Sequence, residues 1–99
     1  MEESAAVHFT LPEGYRDREG ILHRGGVLRP ATARDEVRTL GDFRVHLRPD
    51  LYLDVALGRT VTRLGSLDVV DAGVFGRLGE ADRDFLEILY REANGYPPH

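Results

Sequence analysis

Four histidines, a spread of carboxylates and two serines are the residues of this chain whose types could do chemistry. A metal centre needs convergent imidazoles or carboxylates. His8, His23, His46 and His99 stand at no metal-motif spacing. His8 and His23 could meet across a sheet, but the expectation is ordinary surface histidines. "DAGVFGRLGEADRD" is rich in acids yet lacks the Asp-x-Asp-x-Asp pattern of a calcium loop, and it reads as a solvated helix face. A nucleophilic triad needs a positioned hydroxyl. Ser4 falls in a tail and Ser66 in a linker, neither in a nucleophile-elbow sequence. "GRLGEA" has its glycines in the wrong arrangement for a phosphate loop and no lysine to serve one. No catalytic residue, no metal and no cofactor is therefore expected.

Charge narrows the partners. The 13 basic residues are all arginine and are scattered, and the formal net charge is -4. Nucleic-acid binding wants a basic stripe. Tyr15, Arg16 and Arg18 could stack on bases, but Glu13, Asp17 and Glu19 between them spoil that field, and a turn is the better reading. The absence of cysteine excludes disulfides and thiolate metal sites. The acidic opening "MEESAAVHFT" does not read as a signal peptide, and no apolar run reaches the roughly 20 residues of a membrane span. A cytoplasmic protein, without nucleic acid or membrane as partner, is expected.

The elements that must position these residues follow from periodicity. A chain of 99 residues fits one domain. Residues 1–6 read as a flexible tail, 7–94 as a single α+β domain and 95–99 as a frayed end. "VHFTL" alternates with Val7, Phe9 and Leu11 on one face, a half-buried strand that Pro12 is expected to end. "RDREG" is a polar turn. "ILHR" and "VLRP" read as short extended pieces about the Gly25–Gly26 pair, so residues 7–30 should form a small antiparallel sheet of two or three strands. Three to four helices should follow. "TARDEVRTL" carries Thr32 as N-cap and Asp35 three residues on, a capping-box variant, and stops at Gly41. "DFRVHLRP" alternates like a strand, although Asp42 could cap one helical turn. "PDLYLDVALGRTVTRLG" reads as one helix from an Asp50 cap to Gly65, with Leu53, Leu57, Val61 and Leu64 on its stripe and Gly58 placed for close packing. Residues 71–94 form one helix or two, with Phe85, Leu86, Leu89 and Tyr90 on the buried face of the last.

Three blocks carry a resemblance: "LPEGYRDREGILHRGGVLRPATARDE", "RVHLRPDLYLDVALGRTVTRLGSL" and "LGEADRDFLEILYREAN". In order and spacing, over roughly residues 8–94, they resemble the phage tail assembly chaperone-like small proteins of contractile phage tails and phage-tail-like contractile injection systems. The resemblance implies assembly rather than catalysis: binding of a tape-measure, tube or baseplate component before polymerisation. Three alternatives stay open at this point: a minor structural piece of tail or baseplate retained in the particle, a small regulatory or nucleic-acid-binding module, and an enzyme with no constellation to test. The core is expected to take Leu53, Leu57, Val61, Phe85 and Leu89. That leaves Tyr15, Leu22, Tyr52, Tyr90 and Tyr96 as candidate partner-binding residues, since aromatics are favoured at interface centres.

Overall fold

The computed structural model describes residues 6–95. The expected tail, the frayed end and Tyr96 lie outside that range, apart from Ala6 and Gly95. The chain is a small α+β fold. Strands β1 (Val7–Arg16) and β2 (Leu22–Leu28) come first, then α1 (Ala33–Leu40) and α2 (Phe43–Leu47). A 3₁₀ turn over Pro49–Leu51 runs into α3 (Tyr52–Thr60), and β3 (Val61–Leu64), α4 (Ala72–Gly76) and α5 (Glu80–Ala93) follow. The sheet has the order β1-β2-β3 and is antiparallel throughout.

Alternation in β1 works as the sequence says: Phe9 and Leu11 are buried while His8 and Thr10 face out. Pro12 does not end the strand. β1 is an edge strand whose register shifts between Thr10 and Tyr15, and a proline fits at such an irregularity because no ladder bond is asked of it. Arg24 bonds the carbonyls of Leu11 and Pro12 there, Nε at 3.0 Å and Nη2 at 3.2 Å. The Gly25–Gly26 pair lies inside β2 rather than between two pieces, and the Phe9 ring occupies the space that a side chain at Gly26 would need. "RDREG" is the turn between the strands, with Asp17 Oδ1 accepting from the N–H groups of Glu19 and Ile21.

The third strand comes from an unexpected place. The stripe Leu53, Leu57, Val61, Leu64 does not continue on one helix: α3 ends at Thr60, and Val61–Leu64 pairs with β2, Gly26 opposite Leu64 and Leu28 opposite Val61. Both Val61 and Leu64 still reach the core, because the register shifts between Val27 and Leu28 and leaves Thr62 as an extra residue, so that two positions three apart face the same side. The β-branched run Thr60-Val61-Thr62 favours the extended form. Asp50 is not a helix cap. It sits inside the 3₁₀ turn and pairs with Arg48 at 3.0 Å. Gly65 follows a strand rather than a helix.

The other helix signals hold. Thr32 and Asp35 make a full capping box. Asp42 caps α2, which settles "DFRVHLRP" as a helical turn. Asp71 caps α4, and residues 71–94 form two helices. Gly58 packs closely, as expected: a Cβ there would stand 2.8 Å from the Ala72 nitrogen. The core joins sheet and helices through Phe9, Leu11, Leu28, Val61 and Leu64 from the strands, Ala56, Leu57, Val74, Phe75, Leu86 and Tyr90 from the helices, and Leu78 from the turn between α4 and α5. Leu53, Phe85 and Leu89 pack against this cluster but are only partly buried.

Candidate interaction surface

The polar residues that looked solvated are part of the interior. Asp82, read as a solvated acid, is fully buried in the first turn of α5. Its carboxylate accepts from the backbone N–H of Glu13 at 2.8 Å and of Gly14 at 2.9 Å, at the bulge of β1. Two backbone donors meeting a carboxylate form a charge-assisted clamp. Asp54 is 3% exposed and pairs with Arg83 Nη1 at 2.6 Å. The same Nη1 donates to the Phe75 carbonyl at 2.8 Å, so one guanidinium ties α3, α4 and α5 together. Arg29 grips both oxygens of Asp35, at 2.6 and 3.2 Å, and donates to the Arg59 carbonyl at 2.8 Å. That hydrogen-bonded guanidinium holds the Asp35 carboxyl well below the usual carboxylate range, with the Thr32 bonds adding to the shift.

His23 brings an acid, an imidazole and a serine together. It is 3% exposed, not a surface histidine, and it does not meet His8: His8 stands opposite Val27, and His23 opposite Tyr15. Nε2 lies 2.8 Å from Asp17 Oδ2. Nδ1 accepts from the backbone N–H of Ser66 at 3.1 Å. This assigns the proton of the neutral ring to Nε2, donated to Asp17, whose carboxyl is held below its usual range chiefly by that bond. A triad would need Nδ1 free to take a proton from a hydroxyl. Here a backbone amide occupies it, and the group staples the β1–β2 turn to the end of β3.

The five candidate partner residues fall into two places. Tyr15 and Leu22 flank the β1–β2 turn: Tyr15 is half-buried beside the His23 ring, with centroids 6.4 Å apart, and Leu22 is exposed next to exposed Ile21. Tyr52 and Tyr90 come together. With Leu53, Asp50, Arg83, Glu87 and Arg91 they line a groove of about 400 Å³ between the start of α3 and the second half of α5. Tyr90 is nearly buried, so it forms the groove's floor, while Tyr52 is partly buried. Burial pushes the Tyr52 hydroxyl up from its ordinary pKa, and the charge of Glu36 adds to this. Arg91 Nε stands 3.7 Å from Glu87 Oε2, a loose surface pair that a ligand carboxylate could displace. Tyr96 lies outside the described residues.

One surface escaped the sequence reading. Val37 and Leu40 on α1 and Phe43 and Leu47 on α2 are all more than half exposed. The signal was present in the i, i+3 and i, i+4 spacing of these pairs. It was hidden because a short amphipathic helix is read as turning its apolar side inward. Here Thr39 and Val45 take the inward positions instead.

Among the described residues, no cluster of three His or carboxylate side chains could hold a metal ion, and no helix is long and apolar enough to cross a membrane. Comparison of the chain with family models, with curated proteins and with solved structures gives no match.

Proposed function

We propose that this protein is a non-enzymatic assembly factor that binds another protein, a tape-measure, tube or baseplate component of a contractile phage tail or phage-tail-like injection system, before that component polymerises. The observation that carries the reading is the Tyr52–Tyr90 groove. It offers two aromatic rings and Leu53 as an apolar bed, with Arg91 beside it. Such a lining suits an extended or helical segment that presents an apolar anchor next to an acid.

The three-block resemblance supports the assembly setting. The structure supports the binding mode in another way, because the motif residues of those blocks hold the fold. Asp82 of the third block clamps Glu13 and Gly14 of the first. His23 of the first reaches Ser66 of the second. These residues are engaged in internal bonds, which leaves the groove as the surface this reading gives to a partner. Deleting the gene should abolish or shorten assembled tails. Mass spectrometry of purified wild-type particles should find the protein absent or in trace. Tails of normal length and number without it would overturn the proposal, and stoichiometric presence in particles would replace it with the reading of a retained structural component.

A further inference from the structure

The apolar face of α1 and α2 has a counterpart of matching chemistry on the same chain. Val37 and Leu40 are 69% and 61% exposed, Phe43 and Leu47 73% and 66%. Arg34 and Arg38 stand four residues apart on α1, both exposed, and neither has an ion pair or hydrogen bond among the described residues. Along α5, Glu80, Asp84, Ile88 and Glu92 recur at every fourth position and are all exposed, and the three acids are likewise unpaired. Like charges at i, i+4 repel within a helix. Each surface therefore carries an uncompensated pair of one sign, Arg34/Arg38 on one and Glu80/Asp84 on the other. Ile88, 59% exposed, adds an apolar side chain to the acidic line. The Ala31 N–H donates to Asn94 Oδ1 at 2.6 Å, which sets the start of α1 beside the end of α5.

We propose that two copies of this chain pair about a two-fold axis, the α1–α2 face of each covering the acidic α5 line of the other. A two-fold repeats every contact, so two apolar faces and two charged seams contribute. A stable interface of standard size buries about 800 Å² per partner, with an apolar centre and a charged rim. Four large side chains left mostly exposed supply the centre, and the arginines and acids supply the rim. A face pairing with its own copy would set Arg34 and Arg38 against their equivalents and lacks that rim. The contact uses none of the groove-lining residues, so the dimer and the assembly function stand or fall separately.

Sedimentation equilibrium of the full chain across a concentration series tests this. A monomer–dimer equilibrium is expected. Phe43→Ser, Arg38→Glu and Asp84→Arg should each weaken the dimer by about tenfold or more. These side chains are exposed, so unchanged thermal unfolding of the dilute monomer should confirm folding. The combination of Arg34→Glu and Arg38→Glu with Glu80→Arg and Asp84→Arg should restore the dimer. A wild-type chain that stays monomeric, a dimer indifferent to Phe43→Ser or to Asp84→Arg, or a charge swap that restores nothing would overturn the proposal.

Discussion

Asp82 holds Gly14. A carboxylate with no solvent exposure accepts the N–H of a glycine 68 positions earlier, at 2.9 Å, while its other oxygen takes the N–H of Glu13. Gly14 has a φ of +99°, and a Cβ there would stand 2.6 Å from Arg24 Cγ. The glycine thus lets β2 approach the bulge of β1 closely, and Asp82 of α5 supplies the acceptor that two backbone donors would otherwise lack.

Asp82→Ala should destabilise the protein by about 2–4 kcal/mol, because both donors lose a charged acceptor. Asp82→Asn should cost less, since an amide oxygen still satisfies one of them. Urea midpoints at neutral pH give the ranking. Hydrogen exchange at Glu13 and Gly14 should speed up in both variants.

Gly65 is another glycine that the fold cannot replace. Its φ is +56°, and a Cβ would run into the His23 ring. Gly65→Ala should displace that ring and break the Asp17–His23–Ser66 staple, at a cost of roughly 2 kcal/mol or more. Gly20→Ala is the control. It has a positive φ of 86° but nothing within 4 Å of the added carbon, so its cost should be backbone strain alone, about 1 kcal/mol. Equal losses of stability at the two positions would contradict the staple.

The core is graded. Leu57 is 1% exposed and Leu57→Ala should cost about 2–5 kcal/mol. Phe85 stands at the core's edge, its ring 6.3 Å from that of Phe9, and Phe85→Ala should cost less, about 1–3 kcal/mol. The order of the two denaturation midpoints is the check.

Acid should loosen α1 through Asp35. Its carboxyl is held below the unfolded value of 3.8 by Arg29 and the Thr32 bonds. A depressed folded pKa means the pair stabilises fully above the unfolded value, and that this contribution is lost as pH falls through the folded one. Stability should therefore decline as pH drops below about 4. Asp35→Asn should be less stable at neutral pH and should flatten that decline. A wild-type urea midpoint that is flat between pH 5 and 2 would contradict the Arg29–Asp35 account.

Much of the fold was legible because its signals are local. The Thr32–Asp35 box, the Asp71 cap and the alternation through Phe9 and Leu11 each need only a few neighbouring residues. What was misread depended on distant partners. Val61 and Leu64 lie at a helical spacing, and only a bulge at Thr62 lets both face inward from a strand. Only the pairing with β2, which no local pattern encodes, decides for the strand. Asp82 and His23 looked like surface groups because acids and imidazoles are usually wet, and Asp54 gave no signal of its burial. Their acceptors and donors sit 69, 43 and 29 positions away. Of the five candidate residues, Tyr52 and Tyr90 share one groove, and aromatic identity alone did not single out that pair. It could not show that Tyr15 and Leu22 belong to the turn, or that α1 and α2 turn apolar residues outward.

The central claim is that the groove under Tyr52 retains another protein. The most direct measurement is affinity capture of tape-measure, tube and baseplate subunits co-expressed with the tagged chain, scored for wild type and for Tyr52→Ala combined with Arg91→Glu, each first shown to be folded. The expected result is that wild type retains one of these subunits and that the double variant loses at least about nine-tenths of it. Retention of no tail subunit by wild type, or equal retention by the folded double variant, would contradict the account.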